Sequence, residues 1–236
     1  MHRTPFRLRR ATRALAGLLA IAAAAGVLAL TAASAGQAVV RPAHDHAARV
    51  PARTTKAIRF HDRMRALWEE HGAWTRMVIV SFVGGLPNLP AAEQVLLANQ
   101  ARIGNAVKPY YGRAAGNRLT RLLEEHILGA VDVLVAARSG DAAQLSQAQR
   151  AWSANGRQIA DFLHAANPRF VRRAAARQMM QVHLDQVTEQ AVHELRGDYA
   201  ASARAYEPYI RHILQMADTI SSGIINQFPA RFGHAR

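Results

Sequence analysis

No cysteine occurs among the 236 residues, and that absence removes several chemistries at once. Disulfide staples, thiolate metal centres, haem attachment through Cys-x-x-Cys-His and cysteine nucleophiles are all excluded, so burial alone must hold the fold. Lysine is scarce too: Lys56 and Lys108 are the only lysines among 30 basic side chains. Aromatic residues make up 6% of the chain, and no basic helix face or aromatic platform of the kind that binds nucleic acid stands out. Nothing reads as a strand, because the one β-branched run, Val78-Ile79-Val80, continues a helical pattern. Missing as well are a Gly-x-Ser-x-Gly elbow, a glycine-rich phosphate loop followed by lysine, and a His-Glu-x-x-His pair.

What is present begins with an export signal. Residues 1–13 carry five arginines and no acid, and Ala14 to Ala35 carry no charge at all before an Ala33-Ser34-Ala35 exit. Residues 1–35 therefore read as a secretory signal peptide or, if uncleaved, as a membrane anchor. Residues after Gly36 are expected outside the cytoplasmic membrane, periplasmic, extracellular or tethered to its outer face. Of the formal charge of +14, the five arginines account for all that the signal contributes, which leaves +9 on the exported part. We read that charge as solubility with some affinity for anionic lipid or envelope polymer, and expect no nucleic-acid partner. Residues 36–54, with Pro42, Pro51 and His44-Asp45-His46, lack periodicity and read as a disordered linker.

From there the chain is helical in pattern. A first helix is expected over about Lys56–Phe82, ended by Gly84-Gly85; a shorter stretch, Ala91–Val107, breaks near Lys108-Pro109-Tyr110-Tyr111-Gly112. Further helices follow over about Arg113–Arg138, from an Asp141 cap to Ala166, over Arg172–Arg196, and from an Asp198 cap to Phe228. Pro208 falls inside the last and should kink it. The expected fold is all-α: an antiparallel bundle of about five long helices over residues 55–229, followed by a basic tail at 230–236.

Three histidines occupy matching places on three of these helices. At about 100° per residue, His71 shares a face with Met64, Leu67, Trp68, Trp74, Thr75 and Val78. His126 shares one with Leu119, Leu122, Leu123, Ala130 and Val133, and His183 with Met179, Met180 and Val187. Each imidazole thus points where its helix is apolar, which places a candidate polar site inside the bundle. On the last helix Asp218 lies between Leu214 and Ser221-Ser222 and is positioned to join it.

A hard metal such as iron needs carboxylates beside histidine, as in the Glu-x-x-His pairs of di-iron bundles. Here Glu70 and Glu125 immediately precede their histidines, which is a different spacing. Copper is the other candidate, because Met179 precedes His183 by four residues and Met216 follows His212 by four. The competing account needs no ligand. Thr75, Arg76, Trp152, Asn155 and Asp218 would satisfy the three histidines as a buried hydrogen-bonded network.

These residues resemble a family of small, exported or membrane-anchored bacterial helical proteins. The similarity lies in Leu67-Trp68-x-x-His71-x-x-Trp74-Thr75-Arg76, then Glu125-His126, Trp152-x-x-Asn155, Asn167-Pro168, Met180-x-x-His183 and Met216-Ala217-Asp218. A closing Gly223-Ile224-Ile225-x-Gln227-Phe228-Pro229 completes it, so the likeness spans about Arg65 to Pro229. The resemblance implies that His71, His126, His183 and Asp218 belong to a shared pattern, but it implies no established activity. Names such as acetylglutamate kinase or glycosyltransferase, carried by some relatives, find no phosphate or sugar-nucleotide motif here.

The sequence therefore leads to an exported helical bundle binding a metal ion, copper or iron, or a small ligand. The expected metal ligands are His71, His126, His183 and Asp218, with Trp74, Thr75, Arg76, Trp152 and Asn155 around them. A structural envelope protein and a di-iron oxidoreductase are the alternatives.

Overall fold

A computed structural model describes residues 54–233. The signal or anchor segment, the linker up to residue 53 and the last three residues of the expected tail lie outside the described residues. Five helices form: α1 (Thr55–Gly84), α2 (Leu89–Ser139), α3 (Ala142–Ala166), α4 (Arg173–Leu195) and α5 (Tyr199–Gln227). A 3-10 turn, Pro229–Phe232, follows, and no strand occurs among the described residues.

The helix boundaries follow side-chain chemistry. Asp141 accepts hydrogen bonds from the backbone N–H groups of Ala143 and Gln144, each 3.0 Å, and Asp198 accepts one from Ala201 at 3.0 Å. Both acids thereby satisfy donors that a helix start leaves unpaired. Pro208 lies inside α5, which nonetheless runs on to Gln227.

The longest helix is two arms. At Gly112 the backbone takes φ 84° and ψ 168°, outside helical space and accessible mainly to glycine. A straight helix would hold Gly104 and Gly116 about 18 Å apart. Instead, a Cβ built on Gly104 would lie 2.7 Å from the Gly116 carbonyl oxygen and 2.0 Å from Thr120 Oγ1. The arms, residues 89–111 and 113–139, therefore double back on each other, and only hydrogen at residue 104 permits the contact. The interruption expected near residues 108–112 is this reversal.

Each helix packs on the next in sequence, and α5 returns against α1 to close a ring. The loops at 85–88, 140–141, 167–172 and 196–198 are too short for a crossover, so neighbours run antiparallel. Inside the ring, Met64, Leu67 and Trp68 of α1 meet Leu119 and Leu123 of α2, Ile159 of α3, Leu184 of α4 and Ile213 and Met216 of α5. Residues expected to begin a basic tail behave otherwise. Phe232 is 1% exposed, stacks on Tyr110 at 5.1 Å and packs on Phe60 at 5.4 Å, while the Thr54 hydroxyl donates to its carbonyl. One aromatic ring, Phe232, immediately before Gly233, is enough to dock it.

Candidate functional site: a buried histidine cluster

The ring of helices brings the three histidines together. His71 comes from α1, His126 from the second arm of α2 and His183 from α4, and each is no more than 3% exposed. The His183 ring is central, 5.9 Å from His71 and 5.5 Å from His126, centroid to centroid. Aromatic rings enclose the trio: Trp68 stands edge-on to His71 at 5.6 Å, Trp152 stacks on His126 at 5.3 Å and Tyr209 stacks on His183 at 5.8 Å. Every helix of the bundle contributes to this one cluster.

Hydrogen bonds settle two tautomers. The Asn155 amide nitrogen donates to the Leu122 carbonyl at 3.0 Å, which turns its oxygen towards His126 Nδ1 at 2.8 Å. His126 therefore carries its proton on Nδ1, and Nε2 presents a lone pair. Gln100 Nε2 donates to the Leu96 carbonyl at 2.8 Å and faces His71 Nδ1 at 3.2 Å, so that nitrogen accepts and the His71 proton sits on Nε2. His126 Nε2 and His183 Nδ1 are both buried and have no hydrogen-bond partner.

All three rings are neutral at neutral pH. Burial, then the neighbouring His126, lowers His71 to about 3 despite the Gln100 contact. Burial lowers His126 to about 4 against the opposing Asn155 bond. His183 is held well below the usual imidazole range by burial first and then by His126, His71 and His212. Burial likewise pushes the Tyr209 hydroxyl up, against the opposing effect of the Thr75 hydroxyl beside it.

The other expected residues divide. Trp152 and Asn155 belong to the cluster, and the Trp152 indole N–H donates to the His126 carbonyl at 3.0 Å. Thr75 borders it through Tyr209. Arg76 does not join it: its guanidinium reaches Glu194 at 2.8 Å and Ser202, tying α1 to α4 and α5. Trp74 is half-buried in a smaller apolar cluster with Val78, Leu96 and Ile127. Asp218 must be withdrawn from the metal set. It is 40% exposed at the rim, where Arg65 donates to both carboxylate oxygens at 2.7 Å and His61 Nε2 lies 3.0 Å away. Helix α5 turns Met216 and Ile220 inward, which leaves Asp218 on the flank.

That placement bears on the metals considered. Among the described residues, no three histidine, aspartate or glutamate side chains are grouped to hold a metal ion. The cluster offers imidazole without carboxylate, because Glu70 pairs with Arg102 at the surface and buried Glu194 is committed to Arg76. Such a donor set does not suit a di-iron centre. Two residues of the cluster escaped the sequence analysis. Gln100 falls on the stripe Leu96, Ile103 and Val107, and Tyr209 on the stripe Ile213, Met216 and Ile220, so helical periodicity would have found both.

No family model matches this chain, and neither a curated protein nor a solved structure is similar to it.

Proposed function

We propose that this is a non-catalytic binding protein of the cell envelope, and that its core takes one copper(I) ion between His126 Nε2 and His183 Nδ1. The observation that carries the proposal is the pair of buried, unpartnered imidazole nitrogens on adjacent rings. Leaving a buried donor or acceptor unpaired costs about 1–3 kcal/mol, and copper(I) would relieve both nitrogens with the His183 proton held on Nε2. Copper(I) accepts two imidazoles in a near-linear arrangement, needs no carboxylate and favours a site shielded from water. Asn155, by holding the His126 proton on Nδ1, plays the orienting part that a metal-bound imidazole requires.

Export and membership of the exported helical family belong to the same proposal, supported by the basic and apolar opening of residues 1–35 and by the Leu67-to-Arg76 segment. The structural alternative is the weaker one, since Arg76 and Asp218 are bonded elsewhere and two ring nitrogens remain unsatisfied.

Elemental analysis of the full chain, purified without affinity tag or chelator, tests this. Near-stoichiometric copper that disappears in His126→Gln and His183→Gln but persists in His212→Gln supports the site. Asn155→Ala should weaken copper binding about 10- to 100-fold. A folded wild type that carries no metal and refuses added copper(I) overturns the proposal.

A further inference from the structure

The two ends of the bundle differ sharply in charge. One end gathers the start of α1, the reversal of α2, the end of α3, the start of α4 and the end of α5, as the antiparallel order of the helices requires. Hydrogen bonds tie these pieces together: Tyr111 Oη donates to Gln227 at 2.6 Å, Gln227 to the Ala166 carbonyl at 3.0 Å and Arg231 to the Pro109 carbonyl at 2.7 Å. Residues 54–66, 105–121, 157–180 and 217–233 make up this end and carry 14 basic and three acidic side chains, a formal +11. The other described residues carry seven basic and 12 acidic side chains, a formal −5.

The three acids of the basic end are already engaged, Asp218 by Arg65 and His61, Asp161 by Arg173 and Arg177, and Asp62 by His61. Lys56, Arg59, Arg63, Arg113, Arg169 and Arg172 are exposed, and none of them pairs with a carboxylate of the described residues. So dense a field of one sign repels itself and attracts an anionic surface. The path of the chain favours a bilayer over other polyanions. Thr54, through which residues 1–53 join the domain, lies at this end with its hydroxyl bonded to the Phe232 carbonyl, and those residues include the uncharged run Ala14–Ala35. Exposed Ile58, between Lys56 and Arg59, adds an apolar contact at the same end. We propose that the basic end is a docking surface for anionic phospholipid, on which the domain stands with its acidic end turned away. The surface is separate from the histidine cluster and needs no copper.

Because the chain lacks cysteine, one introduced thiol reports one point on it. A fluorophore on Ala114→Cys marks the basic end and one on Ala142→Cys the opposite end, both at exposed positions. The labelled full chain is added to vesicles of phosphatidylcholine alone or with phosphatidylglycerol, and energy transfer to a headgroup-labelled lipid is read. Phosphatidylglycerol should raise transfer from residue 114 more than from residue 142. About 1 M salt, where the screening length falls to about 3 Å, should reverse the gain. Each arginine at the surface strengthens docking about fivefold, so Arg113→Gln, Arg169→Gln and Arg172→Gln together should weaken it about 100-fold. The same loss of charge at the other end, in Arg150→Gln, Arg196→Gln and Arg204→Gln, should leave it unchanged. Transfer indifferent to phosphatidylglycerol or to salt in the otherwise unaltered chain, or equal weakening by the two triple variants, overturns the proposal. Soluble polyphosphate that binds this end more tightly than the vesicles do would assign it to an envelope polymer and overturn the choice of lipid.

Discussion

Acid should unfold this protein through its three core histidines, and the size of the effect can be worked out from their burial. In the unfolded chain each imidazole takes up a proton near pH 6.5; in the fold His71 does so only at about 3, His126 at about 4, and His183 also well below 6.5. The folded pKa values are depressed, so the unfolded state binds more protons below about pH 6.5. The stability that neutral burial protects is complete above that value and lost as pH falls. Each histidine costs about 1.4 kcal/mol per pH unit in this window, and at about pH 5 each has cost about 2 kcal/mol. Together they remove about 6 kcal/mol, which is comparable with the entire stability of many domains. The window from about pH 6 to 5 lies above ordinary carboxylate titration, so the histidines dominate it. Urea unfolding of the full chain, metal-free and at constant ionic strength, would give stability at about pH 7.5, 6 and 5. The slope should approach 4 kcal/mol per pH unit, that is about three protons, and His71→Gln should remove about one third of it. A stability that stays level between about pH 7 and 5, or a slope unaltered in His71→Gln, would refute the picture of three rings buried neutral.

Two further perturbations test the frame that holds the cluster. Gly104→Ala drives a methyl into Thr120 Oγ1 and the Gly116 carbonyl, at 2.0 and 2.7 Å, and should destabilise by about 3 kcal/mol in thermal or urea unfolding. A neutral effect would mean that the two arms of α2 do not touch there. Glu194, 4% exposed, shares Arg76 with Ser202, so Glu194→Leu alone should cost about 3 kcal/mol by stranding the guanidinium, whereas Glu194→Leu with Arg76→Met should recover most of it. Equal losses in the single and double variants would show that packing, not charge, sets the cost.

Much of the fold was legible in the chain. Asp141 and Asp198 mark helix starts as their side chains demand, and the break at residues 108–112 marks the reversal of α2 because Pro109 and Gly112 interrupt the apolar period. The docking of residues 229–232 was not, since a single Phe232 carries it and one aromatic residue in a short basic segment has no periodicity to read.

The histidines show the division most clearly. Placement of His71, His126 and His183 on apolar faces follows from 3.6 residues per turn, so the sequence alone determined that all three would be buried. That their rings meet, with Trp152 and Asn155 beside them, depends on the order of helices around the ring and on the doubling back of α2, which local periodicity does not encode. Asp218 makes the same point from the other side. Its neighbours on α5 allow it to face inward, but the rotation of the helix that buries Met216, Ile220 and Tyr209 sends its carboxylate to Arg65 and His61. Side-chain period decides which face of a helix is apolar; only packing against four other helices decides which residue at the edge of that face is inside.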